Sequence, residues 1–463
     1  MEQYNESLPQ TAHILNSQII AIDFDDSVSL DNSEDETIID KDESTNMLSR
    51  KKLLSWLQVL IASVQNNIPL TLIELTEIIS TIGSPIKSML HSIENIFRIS
   101  GRPSIIAIGD THGHPVIANL ISSLKFIDNL LTELFDKLDQ EIIDEFLGKF
   151  GVDTIENLIE KLGEEYMIDH LTNALITLRD ESSDGSIKDI IKEILDSIND
   201  DRHIIVMGDF VDRGEFSLEN LLLLLIWKLL NPTHVHLLRG NHEDSEICRM
   251  YGFWSEFMYK VGNTRYWEIL MSIFAHLPLG CIANKNFYCH GGIPMREDSS
   301  IPSIDDVNAI DRFLLKTLGN YPRGGVYIVQ QLLWGDPAIT YSRSLRGGSM
   351  RNFSPKQTLK FCDLYEVDCV IRAHEVQRGG WIVNQTDPNG DSICITVFSA
   401  NNYCGTQNNQ GAIAYIDNSG KPTYYQYQND SDVSALKIMH PGDLQEWDDT
   451  IEMEPNTPHI SES

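Results

Sequence analysis

Carboxylates, imidazoles and one carboxamide recur beside glycine in five short clusters of this chain: Gly109-Asp110-Thr111-His112-Gly113, Gly208-Asp209-Phe210-Val211-Asp212-Arg213-Gly214, Gly240-Asn241-His242-Glu243, His290-Gly291-Gly292 and Arg372-Ala373-His374-Glu375. Oxygen and nitrogen donors of this kind suit Mn, Fe or Zn and do not suit Cu(I). One aspartate can bridge two such cations roughly 3.5–4 Å apart, where a shared water becomes a nucleophile near neutral pH. Two arginines can clamp a phosphate bidentately. A histidine outside the donor set can protonate a departing alkoxide while a nearby carboxylate fixes its tautomer. Together these parts describe phosphate-ester hydrolysis. Singly, each has a plainer reading: an aspartate after a strand is usually a turn or cap residue, and an arginine is by default a surface ion pair worth little. Their joint occurrence in these contexts outweighs the plain readings.

The clusters need elements to aim them. Each follows a predicted strand directly or within one residue: Ile105 to Ile108, Ile204 to Met207, Val235 to Leu238, Phe287 to Cys289 and Cys369 to Ile371, with Ile393 to Phe398 as a further strand. Strand ends and the loops after them carry ligand chemistry in α/β proteins. Between the strands the apolar spacing is helical. From Met47 to Phe97 it predicts two or three helices, with breaks at Pro69 and at Ser84-Pro85. Leu120, Leu124, Ile127, Leu131 and Leu134 form one stripe, continued by Ile142, Phe146 and Phe150, and Ile187, Ile190, Ile191, Ile194 and Ile198 form a later one. Leu221 to Leu230 reads as a core helix. His234, His236 and His276 lie outside the clusters and read as structural or solvent-exposed.

The clusters, in this order, resemble the phosphoprotein phosphatase family of serine/threonine phosphatases, within the calcineurin-like metallophosphoesterases. Satellite segments extend the likeness: Leu237-Leu238-Arg239, Tyr251-Gly252-Phe253, Leu332 to Pro337, and Phe398 to Gly405. The resemblance implies an α/β (α+β) fold, a two-sheet β-sandwich flanked by helices. It implies a first metal held by Asp110, His112 and Asp209, and a second held by Asp209, Asn241, His290 and His374. His242 would be the general acid, paired with Asp212. Arg213 would bind phosphate, with Arg346 as the second clamp in preference to Arg351, and Asn241 and Tyr403 would also face substrate. The implied activity is hydrolysis of phosphoserine and phosphothreonine, with two divalent or trivalent ions (Mn, or Fe and Zn) as cofactors. Two alternatives of other kinds are a phosphoesterase acting on small phosphoesters or phosphotyrosine, and a scaffold working through its helical segment. The chain departs from the family pattern in two places. Asn401 stands where the family usually has proline, and about a hundred residues, rather than about thirty, separate Asp110 from Asp209.

Composition sets the remaining bounds. The net charge of −33 disfavours nucleic acid and anionic membrane surfaces as partners. The 7 cysteines show no paired spacing, which points to a reducing compartment, cytoplasmic or nuclear. Neither a secretory signal nor a membrane-length apolar run is expected. The expected organisation is a disordered acidic segment over 1–45, a helical region over 46–104, a catalytic domain over 105–427 and a loose acidic tail over 428–463. Inside the catalytic domain, 120–200 reads as an acidic helical insertion, a docking lobe for a regulator or a basic partner.

Overall fold

The computed structural model describes residues 48–122, 127–161, 167–198, 201–319, 323–347, 350–429 and 432–433. The expected acidic segment 1–45 and most of the tail 428–463 lie outside the described residues, as does Leu124.

The strands, in chain order, are β1 (Ile96–Arg98), β2 (Ile105–Ile108), β3 (His203–Val206), β4 (Val235–Leu237), β5 (Gly280–Ala283), β6 (Asn286–Cys289), β7 (Ser342–Arg343), β8 (Arg351–Asn352), β9 (Cys369–Arg372), β10 (Trp381–Thr386), β11 (Ser392–Val397), β12 (Gly411–Ile416) and β13 (Pro422–Tyr427). One main sheet runs β1-β5-β6-β9-β11-β10 and the other β13-β12-β2-β3-β4, with β7 and β8 as a separate ribbon. In the second sheet β2, β3 and β4 are parallel, and β12 returns antiparallel to β2.

Side chains alternate across a strand, and the alternation here divides the core into layers. Ile105, Ala107, Ile205 and Met207 meet Ile371, Ala373, Ile395 and Val397 between the two sheets. Their neighbours Ile106, Ile108, Ile204 and Val206 turn to the opposite face, under the helices Leu72–His91 and Ser217–Leu230. Both faces of β2 and β3 are buried, which is why these strands read as unbroken apolar runs. A third layer packs β6 and β9 against the helices Gly325–Trp334 and Pro355–Tyr365. The expected two-sheet sandwich flanked by helices is the architecture found.

Several local expectations are corrected. Ser84-Pro85 does not break the chain; the helix Leu72–His91 runs through Pro85. The missing N–H is tolerated because Leu75, Ile78, Ile79, Ile82, Ile86 and Leu90 bury a continuous face. The break at Pro69 is real, and Thr71 with Glu74 forms a capping box there. The last residues before β2 are not helix, since Ile96–Arg98 pairs in parallel with β5. The proposed stripe from Leu120 to Leu134 is divided between two cores. Leu120 packs under the sheet, whereas Leu131 and Leu134 belong to a separate cluster with Phe146, Leu171, Leu175, Ile191 and Ile194. Ile142 is exposed and lies off that cluster's buried face.

This separate cluster is the interior of a lobe of five described helices, from Ile127–Phe135 to Gly185–Ile198. The lobe leaves the sandwich after Ser122 and returns at Asp201, just before β3. Because it has its own core, the extra length between the first two clusters is a folded body, and the long loop costs little closure entropy.

Candidate active site

The two main sheets touch where β2 and β11 end. Asp110 forms an isolated parallel bridge with Phe398, the Gly109 amide donates to Ser399 Oγ at 2.9 Å, and the Ser399 amide donates to the Asp110 carbonyl at 3.2 Å. This seam opens into a cleft of about 320 Å³.

The loops after β3 and β4 meet back to back. A Cβ on Gly208, whose φ is +91°, would sit 2.4 Å from Gly240 Cα. Gly208→Ala is therefore expected to cost at least about 2 kcal/mol in chemical denaturation. Gly390, at φ +94° with nothing within 4 Å, is the control. Its alanine variant carries backbone strain alone, about 1 kcal/mol. Equal losses at the two positions would show that the contact with Gly240 does not matter.

Glu243 locks the same junction. One carboxylate oxygen accepts the Asp209 and Gly240 amides at 2.8 and 2.7 Å, and the other accepts the Phe210 amide at 2.9 Å. Burial and the neighbouring Asp209 charge push its carboxyl up to about 7, against the pull of these amides. His112, Asp209, Asp212, Arg213 and His374 all adopt left-handed φ between 45° and 74°. Backbone strain of this kind collects where side chains must be aimed rather than packed.

The aimed groups converge. His112 Nε2 lies 3.6 Å from Asp110 Oδ2 and 3.5 Å from Asp209 Oδ2, while its Nδ1 donates to the Val211 carbonyl at 2.9 Å. On the far side of Asp209, His290 Nε2 is 3.3 Å from Asp209 Oδ1, 2.7 Å from Asn241 Oδ1 and 3.2 Å from His374 Nδ1, and its Nδ1 donates to the Met207 carbonyl at 2.8 Å. In both histidines the backbone carbonyl takes one ring proton, leaving Nε2 directed at the carboxylates. Asp209 thus lies between two donor groups.

The donors fit cations. Asp110 Oδ2 and His374 Nε2 are buried and have no hydrogen-bond partner. Burial would lower His112, but the neighbouring Asp110 and Asp209 carboxylates push it up to about 9. Burial would raise Asp209, but His290, His242 and His112 hold it far below the usual carboxylate range. His374 is driven well below the ordinary imidazole value by burial and by Arg346, so it offers a lone pair. The carboxylates call for positive charge, and His374 supplies a neutral nitrogen beside them.

His242 is placed differently. Its Nδ1 donates to Asp212 Oδ2 at 2.6 Å, and Asp212 Oδ1 is fixed by the Phe253 amide at 2.8 Å. His242 Nε2 lies 3.9 Å from Asp209 Oδ2. Arg213 lies over the Tyr251 ring at 4.0 Å from its centroid. Arg346, which also lines the cleft, pairs with Asp336 at 2.6 Å. Tyr403 packs against the His112 ring.

The structure brings together every residue named from the sequence except Arg351. That residue sits in β8 against Arg343 and does not line the cleft. The structure adds groups to which the sequence gave no role. Asp336 joins Arg346 to the buried Arg372, which also holds the Gly291 carbonyl, Glu375 and Thr396. Trp334 meets the His374 ring edge-on. Glu243, Arg372 and Glu375 stood inside the quoted clusters, and Asp336 inside a satellite segment. Their position among the donors was the available signal. Asn401 donates to the Gln428 carbonyl at 2.8 Å, so the loop that usually carries proline is tied by a side-chain bond instead.

The sequence profile of the calcineurin-like phosphoesterases matches residues 103–378, which include every cluster of the cleft. The chain belongs to this family. Over 223 residues the phosphoesterase is 36% identical to the serine/threonine-protein phosphatase 4 catalytic subunit of Kluyveromyces lactis, covering 48% of this chain and 67% of that one. It is 37% identical over 226 residues to serine/threonine-protein phosphatase 5 of Rattus norvegicus, covering 48% of this chain but only 42% of the rat protein. A solved serine/threonine phosphatase from Saccharomyces cerevisiae superposes with a TM-score of 0.51 at 23% identity, covering 83% of this chain and 97% of that one. That likeness is one of fold. The fold implies a dinuclear metal centre, and Asp110, His112, Asp209, Asn241, His290 and His374 are the donors available for it.

Proposed function

We propose that this phosphoesterase is a serine/threonine protein phosphatase, using Mn or an Fe/Zn pair. The observation that carries the reading is the division of labour around Asp209: two donor groups on either side, a separate His242–Asp212 pair, and two arginines lining an open cleft. Two bound cations would activate a water for attack on phosphorus and offset the charge of the phosphate. Asp110, His112 and Asp209 would hold one, and Asp209, Asn241, His290 and His374 the other.

The protein groups do the rest. Arg213 and Arg346 take the outer phosphoryl oxygens and hold the ester in line. Arg346 starts from its ion pair with Asp336, which keeps the guanidinium at the wall until an anion enters. His242 Nε2 carries the proton that the departing serine or threonine oxygen requires. Asp212 holds the ring so that this nitrogen, and not Nδ1, faces the cleft. Among the described residues no helix is long and apolar enough to cross a membrane. A cytoplasmic or nuclear phosphoprotein is the proposed substrate, and the acidic lobe is the proposed recruiting surface for a regulator or basic partner.

The test compares initial rates of the metal-loaded chain on phosphoserine and phosphothreonine peptides, a phosphotyrosine peptide and a dinucleoside polyphosphate. Faster turnover of either of the last two would end the serine/threonine reading and leave the phosphoesterase intact. In the same assay Arg346→Ala should lose about 1.5–3 kcal/mol of transition-state binding, roughly 10- to 150-fold in kcat/KM. Arg351→Ala should stay within about twofold of wild type. The reverse ranking would move the second clamp to Arg351.

A further inference from the structure

At the opposite end of β3 from the cleft, a second cluster of donors has no part in the chemistry above. Asp201, His203 and His234 each place a ligand atom within 4.8 Å of the others. His203 Nε2 lies 3.7 Å from Asp201 Oδ1, with the histidine 11% and the aspartate 74% exposed, so the group opens to solvent on the carboxylate side. The His203 and His234 rings are 4.6 Å apart. The ladder fixes their spacing, because the Ile204 amide donates to the His234 carbonyl at 2.7 Å. The sequence reading placed His234 and His236 as structural or exposed; both are buried.

A third imidazole sits behind the first. His203 Nδ1 is 2.9 Å from His236 Nε2, and the two rings are stacked within 3° of parallel. With the proton of this contact on His203 Nδ1, His203 Nε2 keeps its lone pair toward Asp201. A ring nitrogen fixed from behind in this way is how proteins orient an imidazole toward a metal. Lys228 lies near His203 and makes a positive charge on that ring less favourable. Lys228 itself is held by the Pro232 carbonyl at 2.6 Å. Burial brings it down to about 7, which weakens its opposition to a cation.

We infer that Asp201, His203 and His234 form a binding site for one divalent transition ion of the zinc class, separate from the catalytic cleft, with His236 as a positioning residue. Two imidazoles, one carboxylate and a water suit Zn²⁺, Co²⁺ or Ni²⁺ and do not suit Mg²⁺ or Ca²⁺. Ligands at about 2.0–2.1 Å in a tetrahedron stand about 3.3 Å apart, so the His203–Asp201 pair at 3.7 Å needs little closure, and no pair in the group exceeds 4.8 Å. Asp201 ends the return from the helical lobe, and His234 belongs to the turn before β4. The ion would staple the lobe's exit to the sandwich, roughly 15–20 Å along β3 from the cleft.

The test counts zinc on the metal-stripped full-length chain after Zn²⁺ titration and gel filtration. Wild type should retain one zinc per chain more than either Asp201→Asn or His234→Gln. His236→Gln should keep the site but weaken it about 10- to 100-fold. Circular dichroism verifies folding, and Asp201 is exposed enough that its asparagine variant answers the question even if the His234 variant does not fold. Equal zinc content and equal zinc affinity in wild type and Asp201→Asn would overturn the site.

Discussion

His242→Asn is expected to lower kcat on a phosphoserine peptide by roughly 10²–10⁴-fold while KM and bound metal stay near wild type. The proton that His242 supplies matters in the transition state, where the serine oxygen leaves as an alkoxide. Asparagine keeps the backbone amide, which donates to Asp209 Oδ1 at 2.9 Å and needs no imidazole. The Asp212 carboxylate loses its partner on one oxygen but keeps the Phe253 amide on the other. The cleft should therefore hold its shape. An aryl phosphate, whose phenolate leaves without help, should be hydrolysed with a much smaller loss. The geometry also poses a rival, since His242, His112 and Asp209 could together hold a cation. If His242 is a ligand, the variant will lose metal and its deficit will be equal on alkyl and aryl substrates. Metal analysis beside the two rate measurements decides between these roles.

Asp209→Asn should be still more damaging, by at least roughly two orders of magnitude in kcat/KM, with bound metal falling in parallel. The carboxylate is buried, and its two oxygens face His290 on one side and His112 on the other. Asparagine preserves the volume and one acceptor but removes the charge shared by both donor groups. It also presents an NH₂ to a neighbourhood that includes Nε2 of two histidines. Loss of metal without loss of folding is the expected signature, read by elemental analysis and circular dichroism. Retention of two metal equivalents and of activity would remove Asp209 from the bridging position. Chelation of wild type should reproduce the variant's inactivity, and re-addition of Mn should reverse it only in wild type.

Much of this was legible in the sequence because both of its signals are local. A short β-branched or aromatic run that ends at a Gly, His or Arg cluster reads as a strand end, and β2, β3, β4, β6 and β9 announce themselves that way. What was missed depends on distant partners. Ile96–Arg98 looks like the end of a helix and becomes a strand only because β5 lies beside it. The Trp381–Thr386 and Pro422–Tyr427 strands lie at the sheet margins, where burial is partial and neither an unbroken apolar run nor a clean alternation marks them. Leu120 and Leu131 share a helical spacing yet serve different cores, since periodicity says which face is apolar and not what covers it. In the cleft, donors inside recognisable clusters could be named by residue type. Asp336 and Glu243 could not, because their part is to hold an arginine and three amides whose positions only the fold supplies.

The seam between the two sheets has a consequence for how the protein matures. The Asp110 carboxylate accepts the amide of His374 at 2.8 Å across 264 residues of chain, so the donors of the cleft are scattered through the polypeptide until both sheets are joined. Metal cannot template the early stages of folding, as it does in small domains whose ligands lie close in sequence. It is captured last, by a finished frame, and its binding energy then adds to the stability of the whole sandwich at once. Enzyme made under metal starvation should accordingly accumulate as a folded, activatable reserve rather than as an aggregate.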